Sequence, residues 1–176
     1  TQLGETKKSV QDIINRPPPS VQAEVAAPSV PLEEKKPNSE RDAIPDDMKA
    51  HYELARSYFK KKEYVDAILA FDEFVVRYPK DKELLDNAYF WMGEAHYVRA
   101  SELKNKKAKN KSYKKAILSY QKVLDFKGSN KADGALLKIG LAFEKLGFVQ
   151  EAKVFYQEVV NKHPKSKLVK EAKKRL

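Results

Sequence analysis

Ala88-Tyr89-Phe90-Trp91-Met92-Gly93-Glu94-Ala95-His96-Tyr97 sets apolar side chains at helical spacing around one residue that has no side chain. Such a run reads as a helix that a neighbouring helix must approach closely at Gly93. The flanking segments repeat the arrangement: Leu54 and Ala55 lead to Tyr58, and Ile139 and Gly140 lead to Phe143. After each comes a second apolar run with an alanine four residues before an aromatic. These pairs are Ala67 and Phe71, Ala116 and Tyr120, Ala152 and Tyr156. The pattern is three copies of one helical hairpin.

Composition places the copies within the chain. Seven of the nine prolines fall in the first 45 of 176 residues, a region without an aromatic side chain. Such a segment cannot bury enough apolar surface to offset the entropy of ordering it. Residues 17–45 therefore read as a disordered Pro-rich linker, and the folded domain as 46–176. Within residues 1–16, Leu3, Val10 and Ile14 stand at near-heptad spacing. That segment is either the frayed end of an upstream coiled coil or unstructured. The chain begins at Thr1 without a signal peptide and is read as a processed or truncated piece.

The formal charge of +10 comes mainly from 29 lysines against 6 arginines. Sequence-reading nucleic-acid proteins lean on arginine forks, so this excess reads as solvation of helix surfaces, and no specific nucleic acid is expected. A salt-sensitive binder of anionic polymers is the remaining alternative from that class. With no cysteine there is no thiolate chemistry or disulfide frame. No run approaches the ~18–20 apolar residues that span a bilayer.

Helix boundaries follow from local signals. Pro45-Asp46-Asp47 opens the first hairpin, 46–80, which Pro79 closes. Asp81 suits a cap for the second hairpin, 81–128. Gly128-Ser129-Asn130 turns into the third, 129–165, closed by Pro164. Ser166 suits a cap for a last helix, 167–176, that covers the end of the stack. Twelve residues separate Ala55 from Ala67 and Gly140 from Ala152, whereas 23 separate Gly93 from Ala116. The second hairpin thus carries an 11-residue insertion around 99–111, rich in lysine, that either lengthens the helical arm or forms a mobile loop.

With Ala55, Gly93 and Gly140 placed at position 8, position 20 is Ala67, Ala116 and Ala152, and position 32 is Pro79, Gly128 and Pro164. This resembles the tetratricopeptide repeat, a helix–turn–helix unit of 34 residues. His96 at an aromatic position and Gly128 at the proline position depart from it, both in the copy with the insertion. The resemblance implies an all-α fold: a right-handed superhelix of three hairpins plus a C-terminal capping helix.

A narrower resemblance rests on Ala88-x-Phe90-Trp91-Met92-Gly93-Glu94 after Tyr78-Pro79, on Lys131-Ala132-Asp133-Gly134-Ala135-Leu136-Leu137-Lys138-Ile139-Gly140, and on the closing His163-Pro164-x-Ser166. Together these are similar to the C-terminal domain of the CpoB/YbgF family. Over residues 47–176 that resemblance implies a periplasmic scaffold of the Tol–Pal system. Its expected partners are TolA and the peptidoglycan-synthesis machinery during division, with trimerisation through an upstream coiled coil. The runner-up is another envelope repeat protein, such as an outer-membrane assembly lipoprotein resembling BamD.

In a stack of such hairpins the first helices line a concave face. The residues expected there are Lys49, Tyr52, Arg56 and Phe59; Asn87, Phe90, Glu94 and Tyr97; and Leu137, Leu141 and Glu144. Aromatic anchors beside Arg and Glu form the composition of a protein-binding surface. Tyr52 and Arg56 stand where chaperone-binding relatives place the start of a Lys/Asn carboxylate clamp, so that mode is not expected. Trp91 is expected between hairpins. His51, His96 and His163 fall in three different units, and no phosphate loop or nucleophile elbow occurs. The reading is a non-enzymatic binding scaffold without cofactor or metal.

Overall fold

The computed structural model describes residues 10–16, 43–81 and 83–176. Most of the linker, 17–42, lies outside the described residues. A helix, α1, runs through the described residues 10–15. It is followed by α2 (Met48–Lys60), α3 (Tyr64–Arg77), α4 (Leu85–Glu102), α5 (Lys106–Val123), α6 (Ala132–Leu146), α7 (Val149–Lys162) and α8 (Val169–Lys173). The fold is all-α, and no strand occurs among the described residues. From α2 on, each helix packs on the next in sequence, giving the hairpins α2–α3, α4–α5 and α6–α7 with α8 laid on the last.

The small residues sit where the reading required. Ala55, Ala67, Ala116 and Ala152 are fully enclosed. A Cβ on Gly93 would stand 2.6 Å from the Tyr120 ring, and one on Gly140 would strike Tyr156 in the same way. Each glycine therefore admits the aromatic of its partner helix within the same hairpin. Pro79 and Pro164 are exposed at the hairpin ends.

Asp47 caps α2 through its side chain, whereas Asp81 and Ser166, expected as caps, bond amides in the turns before α4 and α8, whose N-cap residues are Leu84 and Leu168. Asp47 Oδ1 accepts from Ala50 N at 2.8 Å, and Asp81 Oδ1 accepts from Glu83 N and Leu84 N at 3.1 and 2.6 Å. Ser166 Oγ accepts from Leu168 N at 3.0 Å and donates to Asp133 at 2.5 Å. Ser129 holds Asp86 in the same manner, also at 2.5 Å, so one Asp–Ser link joins the start of each later first helix to the turn that follows its hairpin. The last helix is shorter than expected. α8 covers only five residues, because Lys174 N and Arg175 N bond three residues back and close the chain in turns.

The insertion lengthens the helical arm. α4 and α5 have 18 residues each, against 13 and 14 in the first hairpin, with Asn105 capping α5 through Ala108 N at 2.9 Å. α4 has no continuous polar face because it serves two cores. Leu85, Ala88, Met92 and Ala95 join the core of the first hairpin, while Ala100 joins that of the second and third.

Residues 10–16 do not stand apart from the domain. Val10, Ile13 and Ile14 are buried in the core of the second and third hairpins. Of the near-heptad residues, Val10 and Ile14 pack on the repeats, and Leu3 lies outside the described residues.

Candidate functional site

The first helices meet side by side through one repeated register. Arg56 at position 9 of the first copy lies 3.5 Å over the ring of Trp91 at position 6 of the second. Glu94 at position 9 of the second copy lies 2.9 Å from Lys138 Nζ at position 6 of the third. Phe90 at position 5 abuts Gly134 at position 2, where an added Cβ would approach the ring to 3.2 Å. Glu144 at position 12 pairs at 2.9 Å with Arg175, which stands at position 9 if the count runs on into α8. Each first helix therefore touches its successor three positions back, and the contacts lie in a line from α2 to α8.

Along this line the surface is aromatic and ionic. Phe59 meets Trp91 and Tyr64 edge-on at centroid separations of 5.1 and 5.6 Å, and all three are half-buried. Phe90 meets Trp91 at 5.9 Å and Tyr120 at 5.7 Å, with Lys131 Nζ 5.9 Å from its centroid. Tyr97 lies beneath Lys138 Nζ at 5.3 Å and beside Tyr113 at 5.3 Å. Tyr120 donates to Glu94 at 2.6 Å; burial, then the Glu94 charge, pushes its ionisation well above the usual phenol range, so it stays a donor. Burial also raises Tyr97. The carboxylates on this face are thus paired, and what is left to a ligand is mainly ring surface and guanidinium edges.

The expected residues divide in the structure. Arg56, Phe59, Asn87, Phe90, Glu94, Tyr97, Leu141 and Glu144 are half-buried, and Lys49 is exposed. Tyr52 and Leu137, expected on the open surface, are 8% and 4% exposed. Tyr52 turns into its own hairpin against Phe71 and Phe74 at 5.9 and 5.7 Å, which removes it from any contact surface. Trp91 does lie between hairpins, but on the first-helix face, where it belongs with the candidate site. Lys138 and Arg175 were not singled out in the sequence. Their signal was an acid in one copy with a base three positions back in the next.

His51 and His96 lie inside their hairpins and not on this face. His51 Nε2 lies 2.9 Å from Ala70 O inside the first hairpin, and His96 is enclosed in the second. Burial, aided by Lys115 and Arg99, lowers the His96 pKa to about 3, so its ring is neutral at ordinary pH. Among the described residues, no group of three His, Asp or Glu could hold a metal ion. No described helix is long and apolar enough to cross a membrane.

A family model described as YfiO, outer membrane lipoprotein, matches residues 36–176. The chain belongs to that family. The YfiO match takes in all three hairpins and α8, and so the whole first-helix face; residues 10–16 precede it. Among curated proteins none matches the chain. Among solved structures, the C-terminal TPR-containing domain of a Plasmodium falciparum protein titled as FK506-binding is similar, at 24% identity and a TM-score of 0.49. That likeness covers 71% of this chain and 82% of the other.

Proposed function

We propose that this chain is a non-enzymatic scaffold of the Gram-negative cell envelope that takes up a segment of a partner protein on its first-helix face. The observation that carries the reading is the Arg56–Trp91–Phe59 cluster. Three large side chains from two hairpins remain half-open at the edge of the first hairpin's core. Half-exposed aromatic rings with an arginine are the usual anchors of a protein interface. YfiO membership supports the envelope setting.

For the partner, the finer reading is a CpoB/YbgF-like periplasmic adaptor. It would bind TolA and coordinate peptidoglycan synthesis with outer-membrane constriction during division. Its support is the Ala88–Glu94 run and the closing His163-Pro164-x-Ser166. The second reading is an outer-membrane assembly lipoprotein resembling BamD, and the family match favours it. Immobilised full chain exposed separately to the periplasmic region of TolA and to the outer-membrane barrel-assembly components distinguishes them. Retention of TolA alone, weakened at least tenfold by Arg56→Glu, supports the adaptor reading; retention of the assembly components alone supports the lipoprotein reading. Retention of neither overturns both.

A further inference from the structure

The joints between successive first helices differ in one respect. Where α4 meets α6, Glu94 pairs with Lys138, and where α6 meets α8, Glu144 pairs with Arg175, each at 2.9 Å. Where α2 meets α4, Arg56 meets the Trp91 ring instead. A cation stands there without an acid: among the described residues Arg56 makes no ion pair. Glu53, three residues before it on α2, is exposed and not paired with it. Asp86 of α4, whose charge is felt at Tyr52, accepts from Ser129 at 2.5 Å and from Asn87 N at 2.6 Å, and so is already held.

The guanidinium has also lost part of its water. Arg56 is half-buried, its carbon centre lies 3.5 Å over the indole, and its Nη1 is enclosed without a hydrogen-bond acceptor. Stacking occupies the flat face of a guanidinium and leaves its N–H edge to donate in the plane. A cation in such a setting is attracted to an opposite charge more strongly than one in bulk water, because the surrounding dielectric is lower. Lys60, one turn after Arg56, and Lys49, two turns before it, are exposed and add positive field along α2. Beside the cation, the rings of Phe59 and Phe90 both meet Trp91 edge-on, at 5.1 and 5.9 Å, and border it with apolar surface.

Resting on the reading of the first-helix face given above, we propose that Arg56 and Trp91 form a subsite for one acidic side chain, an Asp or Glu within the partner segment, whose apolar neighbour lies on Phe59 or Phe90. The partner carboxylate supplies at this joint the acid that Glu94 and Glu144 supply at the other two. Tyr52 is drawn into its own hairpin and Lys138 is taken by Glu94, so Arg56 meets the anion alone. A single guanidinium fork suits one side-chain carboxylate. A chain end is held instead by several converging donors, which this joint does not offer.

The probes are short fluorescent peptides, acetylated and amidated, that carry a central Leu-Glu-Phe or the uncharged Leu-Gln-Phe, read by anisotropy on the full chain. Wild type should bind the Glu peptide at least tenfold more tightly than the Gln peptide. Arg56→Gln, whose thermal melt should match wild type, should bind the two within twofold of each other. Arg56→Glu should prefer a Leu-Lys-Phe peptide to both. A Glu preference that survives in Arg56→Gln reports only the net charge of the chain and overturns the proposal. Equal binding of the Glu and Gln peptides by wild type also overturns it; if Phe59→Ala then weakens both, the face still takes a partner segment, through its rings alone. A Gln peptide with a free terminal carboxylate that binds as tightly as the Glu peptide makes a chain end the ligand and overturns the assignment to a side chain. If no peptide binds, the subsite fails, and the first-helix reading is decided separately by retention of the partner region.

Discussion

Gly140 and His96 show how single positions set the tolerances of the stack. A side chain at Gly140 must displace the Tyr156 ring, which is itself fully enclosed. Gly140→Leu should therefore cost on the order of 2–3 kcal/mol or more, read as the loss in urea midpoint at unchanged m-value. His96 occupies the position held by Tyr58 and Phe143 in the other copies, and its Nδ1 is buried without a hydrogen-bond partner. Its folded pKa of about 3 lies below the ordinary 6.5, so between those values the unfolded chain binds the extra proton. Stability attributable to this ring is present above about pH 6.5 and is lost as pH falls towards 3, by up to about 1.4 kcal/mol per pH unit. Burial lowers His51 in the same direction. His96→Phe should flatten the acid limb of a stability–pH curve measured by denaturant melts from pH 7 to 4. An unchanged slope would assign the acid sensitivity to other groups.

At the scale of the hairpin, spacing carried most of the information. Positions 8 and 20 gave the helix crossings, because a close approach tolerates only small residues. The length of the second arm was legible as a 23-residue gap, but its conformation was not, since lysine-rich sequence suits a helix surface and a loop alike. Tyr52 marks another limit. One helix position faces either the groove or the sister helix by a rotation of a few tens of degrees, and the Phe71–Phe74 pair on α3 drew the ring inward. Tyr52→Ala should accordingly destabilise by about 3–5 kcal/mol, whereas Arg56→Glu, one turn on, should leave the thermal melt within a degree or two. The hairpin turns offer a converse test. Lys62 has φ +64° where the third hairpin places Gly147 at φ +87° in an equivalent turn. Lys62→Gly should stabilise by about 0.5–1 kcal/mol by relieving the left-handed backbone, measured as a raised midpoint.

Across the whole molecule, the repeats build two faces. One is the line of first-helix contacts with its half-open rings, and the other is the surface of the second and third hairpins on which α1 packs. The first was expected from position numbers alone, because the repeat dictates which side of each first helix looks away from its partner. The second was not, since the near-heptad spacing of Leu3, Val10 and Ile14 pointed to an upstream coiled coil or to no structure. The register of three positions between neighbouring first helices is likewise a property of the stack and is invisible in any one copy. Trp91 is the sole tryptophan in the chain and lies under Arg56 in the first of these faces, so it reports on the central claim without a label. The decisive measurement is its emission spectrum while the full chain is titrated with the partner region it retains, binding being followed independently by calorimetry. A blue shift that saturates with the calorimetric curve, and that Arg56→Glu weakens at least tenfold, is the expected result. Saturable binding with unaltered Trp91 emission would place the partner elsewhere and contradict the account.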